Sequence, residues 1–85
     1  MTIFNKYCYL KIDDIYVPVK RRQTLKLETV EALAESIIEK GQTTPIQVRK
    51  DGDRLILIEG LHRLEACKAL GEDSIVGVYV QAKRF

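Results

Sequence analysis

Glu59-Gly60-Leu61-His62-Arg63 brings together residue types that hold an anion at a strand-to-helix turn. The run before it, Leu55-Ile56-Leu57-Ile58, is apolar and β-forming, and the residues after it have helical spacing. A glycine at such a turn lets the backbone present its N–H groups, and a helix start adds a positive field. Arg63 carries a planar fork of donors that matches phosphate oxygens two at a time. An arginine in a first helical turn opposes the helix dipole unless an anion compensates it. A local inconsistency of that kind points to a site. The chemistry indicated is phosphate binding.

Each of these residues also has a plainer reading. Gly60 serves equally as an ordinary turn glycine. Arg63 can be solvated or paired with Glu59 or Glu65. His62, the single histidine, can donate to phosphate, accept as a neutral ring, lie on the surface or cap a helix. Glu59 is either the partner of Arg63 or Arg54, or an oxygen ligand for magnesium beside a bound phosphate. The basic run Lys20-Arg21-Arg22 reads as a solvated loop or as a local anion contact. No serine–histidine–acid arrangement is visible, since Ser36 and Ser74 have no triad context. One histidine and two distant cysteines cannot make a zinc site. The turn is neither a P-loop nor a dinucleotide-binding fingerprint.

Composition narrows the class. Eighty-five residues suffice for one modest core, so a single domain spanning 1–85 is expected. The chain is 46% hydrophobic and 31% charged, with a net charge of +2, too small to imply nucleic-acid binding by composition alone. No apolar stretch approaches the roughly 18 residues that span a bilayer. The N-terminal Met1-Thr2-Ile3-Phe4-Asn5-Lys6 lacks the features of a signal peptide, so a cytoplasmic location without membrane contact is expected. Cys8 and Cys67 have no metal or redox spacing and read as free thiols, Cys67 on an apolar helix face.

The elements that must position the turn can be read from periodicity. Tyr7–Ile12 reads as a strand, and Ile15-Tyr16-Val17 as a short extended piece ended by Pro18. Lys20 to Lys26 has no clear period and is expected to be a loop. Val30, Leu33, Ala34, Ile37 and Ile38 predict an amphipathic helix over Glu28–Lys40, with Thr29 as N-cap and Gly41 just past its end. Ile46–Arg49 and Arg54–Ile58 predict a hairpin around Asp51-Gly52. A second helix comes after Gly60 and stops at Gly71, and Ser74–Val80 reads as a last strand. The sum is an α+β domain with a small mixed sheet and two main helices. The runs Ser74–Val80 and Tyr7–Ile12 are candidate sheet edges on which another chain, including a second copy in a homodimer, could pair.

From about Ile12 to Val80 the chain resembles the ParB/sulfiredoxin superfamily. The resemblance rests on the basic loop Lys20-Arg21-Arg22, the helix segment Leu33-Ala34-Glu35-Ser36-Ile37 with Gly41, the strand Pro45-Ile46-Gln47-Val48-Arg49, and Gly60-Leu61-His62-Arg63 with Ala66. It implies a nucleotide, CTP in the partition branch or ATP in the sulfiredoxin branch, with magnesium. The phosphates would lie on Gly60, Leu61, His62 and Arg63, with Ser36 and Arg21 or Arg22 toward the ligand. Where those branches read Gly-Glu-Arg-Arg or Gly-Cys-His-Arg, Leu61 stands in place of the glutamate or cysteine. A leucine can neither polarise water nor attack phosphate. Cys67, six residues further along a helix, lies about 9 Å from the turn and cannot substitute. Sulfiredoxin activity is therefore not expected. The resemblance implies a nucleotide- or phosphate-binding module in partition or DNA-associated regulation, without a helix-turn-helix of its own and acting with nucleic acid or a DNA-binding partner. A magnesium-dependent phosphate enzyme, nuclease-like or nucleotide-cleaving, and a non-catalytic interaction module are the alternatives.

Overall fold

Two short β-forming runs near the N-terminus open the fold. The computed structural model describes residues 7–81, so the expectations for residues 1–6 and for the tail 82–85 lie outside the described residues. Strand β1 is Cys8–Lys11, a single 3-10 turn covers Ile12–Asp14, and β2 is the two-residue Ile15–Tyr16. The Lys20–Lys26 segment is not wholly a loop: Pro18 starts a short helix, α1, over Val19–Arg22. Four residues are too few to show a helical period, which is why the sequence reads there as irregular.

The main helix α2 runs from Leu27 to Lys40. It begins two residues before the predicted N-cap Thr29, and the capping residue is Lys26, whose own side chain makes no cap. Gly41, at φ 77°, ends it as predicted. Next come the hairpin of β3 (Ile46–Asp51) and β4 (Arg54–Glu59), then α3 (Leu61–Ala69) and β5 (Ser74–Tyr79). The five strands form one mixed sheet in the order β1-β5-β3-β4-β2, with β5 parallel to β3 and β2 parallel to β4. Strand β5 is therefore interior, and the expectation of an open edge at Ser74–Val80 is corrected; the sheet edges are β1 and β2.

The core lies between the sheet and the helices. Ile46, Val48, Leu57 and Ile75 project from the central strands against Leu64 and Cys67 of α3, and all are nearly or fully inaccessible. Val76, in β5 just beyond the reach of β3, donates its N–H to the side-chain oxygen of Gln42 at 2.7 Å. A half-buried ladder group thus keeps a partner where the neighbouring strand ends.

Two glycines fit against the first residue of β3. A side chain at Gly77 would meet Leu10 Cδ1 at 2.5 Å and Ile46 Cγ1 at 3.1 Å. At Gly60 the same addition would lie 2.6 Å from Ile46 Cγ2, and the backbone there has φ 110°. Gly60→Ala therefore combines an unfavourable positive φ with a clash against a β-branched residue that cannot move aside. It should lower unfolding stability by about 2–4 kcal/mol, read from denaturant melts.

Cys67 is sealed in the core, where burial pushes its thiol above the ordinary value of 9.0, Glu72 pushes the same way and Arg63 opposes both. The folded protein holds that proton more tightly than the unfolded chain does. The resulting stability is complete below the ordinary thiol pKa and is lost as pH rises through the raised folded value. Unfolding free energy measured from about pH 8 upward should fall more steeply in the wild type than in Cys67→Ala.

Candidate functional site

The register of the central hairpin sets up the turn. Gln47 pairs with Glu59 but Val48 pairs with Leu57, so Ile58 is an extra residue and bulges β4 just before Glu59. Bulges bend a strand and re-aim the residues beyond them. Gly60, in the left-handed region, then turns the chain directly into α3.

Within α3 the buried residues recur as Leu61, Leu64 and Cys67, a spacing that keeps one helix face on the sheet. Leu61 is 6% exposed and belongs to the core cluster, so its side chain anchors the helix and offers the site hydrocarbon alone. Gly60 has no side chain to cap α3, so the N–H groups of Leu61, His62 and Arg63 lack both a cap and an intrahelical acceptor. They are a ready anion receptor.

These groups open into a cleft of about 490 Å³. Its lining brings together Gly60, Leu61, His62, Arg63, Arg21 and Glu59, which the sequence marks as candidate site residues, with Thr24, Thr29, Leu33, Thr44, Pro45 and Gln47, to which it assigns no role in the site. Ser36 and Arg22 are not among the lining residues. Ser36 sits half-buried on α2. Arg22 faces a second cavity, of about 410 Å³, shared with Glu65 and Lys68. Thr29 contributes to the cleft from inside α2.

Each polar side chain at the turn has a definite partner. The Lys26 N–H donates to His62 Nε2 at 3.0 Å, so His62 supplies the cap that the start of α2 otherwise lacks. Nε2 acts as an acceptor, which puts the neutral ring's proton on Nδ1 and makes Nδ1–H the remaining donor. Arg63 donates from Nε to the Thr44 carbonyl at 3.0 Å, fixing its guanidinium against the loop before β3. Its terminal nitrogens make no hydrogen bond or ion pair among the described residues. Glu59 pairs with neither Arg63 nor Arg54, as the sequence suggested, but with Arg21 Nη1 at 3.3 Å. Arg54 instead lies 4.5 Å over the Tyr16 ring and near Asp51. Among the described residues no group of three or more His, Cys, Asp or Glu is placed to hold a metal. No helix among them is long and apolar enough to cross a membrane.

The cleft can therefore offer backbone N–H groups, a fixed guanidinium and a second, exposed one to an anion of several oxygens. It holds no nucleophile at the turn, because Leu61 fills that position.

Known proteins are similar to this chain in sequence and in fold. A probable chromosome-partitioning protein ParB of Campylobacter jejuni is 40% identical over 73 residues, which is 85% of this chain but 26% of that protein. This chain thus spans about a quarter of the length of that relative. The sulfiredoxin of Arabidopsis thaliana superposes with a TM-score of 0.81 at 26% identity, covering 91% of this chain and 86% of that one. A C-terminally truncated ParB of Caulobacter crescentus, solved with CTP-γ-S, superposes with a TM-score of 0.78 at 26% identity, covering 92% of this chain and 46% of that one. The ParB N-terminal domain matches residues 4–84, nearly the whole of the sequence, and the chain belongs to that family, within the ParB/sulfiredoxin superfamily.

Proposed function

We propose that this chain is a nucleotide-binding module of the partition type, taking the phosphates of CTP or ATP, with magnesium, on Gly60–Arg63. The observation that carries the reading is the first turn of α3, whose three free N–H groups open with Arg63 into a cleft of about 490 Å³. That volume suits a nucleotide-sized ligand. The likeness to a ParB solved with CTP-γ-S supports the same choice of ligand.

Binding survives at Leu61 because the anion receptor is backbone. A leucine there keeps its N–H while removing any side chain that could attack phosphorus or orient water. The module therefore binds and reports a nucleotide rather than transferring its phosphate. Its likeness to a probable chromosome-partitioning protein supports a role in chromosome or plasmid partition. With a formal charge of only +2, it would reach DNA through a partner chain or as a homodimer rather than by its own field.

Isothermal titration with CTP, ATP and ADP, each with magnesium, tests the reading. One nucleotide should bind, and Arg63→Ala should weaken it by about 10- to 100-fold, the size of a lost charge-assisted contact of about 1.5–3 kcal/mol. Circular dichroism of the variant controls for loss of the Thr44 anchor. Equal affinity in a folded Arg63→Ala would sink the proposal.

A further inference from the structure

The two arginines of the cleft are held in different ways. Arg63 is anchored through Nε by a neutral acceptor, the Thr44 carbonyl, and keeps its full charge for a ligand. Arg21 gives its Nη1 to a carboxylate, Glu59, at 3.3 Å. That carboxylate belongs to the residue just before Gly60, at the end of β4, where the chain turns into α3. Both groups of the ion pair line the same cleft as Gly60, His62 and Arg63.

The placement of this pair is built into the backbone. Arg21 lies between two fixed points: its N–H donates to the Pro18 carbonyl at 3.0 Å, and its own carbonyl accepts the Thr24 hydroxyl at 2.8 Å. Glu59 is aimed by the bulge at Ile58. Chain segments 38 residues apart in sequence are thus brought to one mouth of the cleft.

We propose that Glu59 is a built-in competitor for the phosphate site. Its carboxylate occupies Arg21, the guanidinium that a phosphate seated at Gly60–Arg63 would otherwise engage, and so sets the affinity of that site. This rests on the nucleotide reading above. A carboxylate and a phosphate oxygen offer the same guanidinium the same geometry, two oxygens to a planar fork. The pair is weak enough to be exchanged, because the side chains are 42% and 64% exposed. Exposed pairs of this kind are worth less than a single strongly bound phosphate contact. A polyphosphate, with more negative charge than one carboxylate, therefore takes Arg21 over. It does so against both the lost pair and the repulsion of the Glu59 charge left beside it.

A double-mutant cycle with CTP as the probe tests this. Wild type, Glu59→Gln, Arg21→Ala and the double variant are titrated calorimetrically, with and without magnesium. Glu59→Gln should bind CTP about three- to tenfold more tightly, the range expected when a surface ion pair and one like charge are removed. The gain should shrink in the Arg21→Ala background, where no ion pair is left to release and only the repulsion between Glu59 and the phosphate remains; a merely structural effect of Glu59 would give the same gain in both backgrounds. An unchanged affinity in Glu59→Gln, or an equal gain in both backgrounds, overturns the proposal. So does a Glu59→Gln affinity that falls only when magnesium is present, which would make the carboxylate a cation ligand. If Arg63→Ala abolishes binding while Glu59→Gln leaves it unchanged, the competitor is excluded and the nucleotide site stands. If neither wild type nor Glu59→Gln binds, both fall together.

Discussion

Everything at the cleft depends on how closely the β4–α3 turn approaches Ile46. There is no space between them: a side chain on Gly60 would come within 2.6 Å of Ile46 Cγ2. Helix α3 therefore starts in direct contact with the first residue of β3. The same short distance lets Arg63, in the first turn of α3, reach back to the Thr44 carbonyl just before that strand. Ile46 also abuts Gly77 from the other side, so one β-branched residue sets the spacing of β5, β3 and the turn. A stiff side chain suits this position, since it has few rotamers to lose or to slip between.

Helical geometry then sorts the residues of the turn. Leu61, Leu64 and Cys67 face the core, so the intervening His62 and Arg63 are carried toward the cleft and α2. A leucine at the first position strengthens this sorting, because it ties the helix start to the hydrophobic cluster. The first-turn N–H groups are held in place by the packing of the Leu61 side chain into the core. His62 extends the tie to α2 by accepting the Lys26 N–H, so the first turn of α3 and the main helix share one polar contact.

Residues with a short-range signal were legible in the sequence. The hairpin announced itself by alternation and by Asp51-Gly52, and α2 by its apolar stripe, because both patterns repeat within a few residues. Gly60 through Arg63 stood out because a glycine, a histidine and an arginine cluster at one turn. The partners of those residues were not legible. The cap of α2 comes from a side chain 36 residues away, so Thr29 looked like the N-cap although the helix had already begun. Glu59 has arginines nearby in sequence but pairs with Arg21, which only the bulge and α1 bring within reach. The interior place of β5 is likewise a matter of strand order, which an apolar run does not encode.

The change at Leu61 separates two properties that a phosphate site usually carries together. The donors at the turn are backbone N–H groups and an arginine held by the Thr44 carbonyl, so they do not depend on which side chain comes after Gly60. A nucleophile or base supplied from position 61 itself would have to be a polar side chain, since such a group must stand within hydrogen-bond reach of the phosphate. Replacing it by a buried leucine adds an apolar anchor without disturbing any donor. Charge at the rim of the cleft is set by one carboxylate, Glu59, paired with Arg21, while Arg63 lines the same cleft without a carboxylate partner among the described residues.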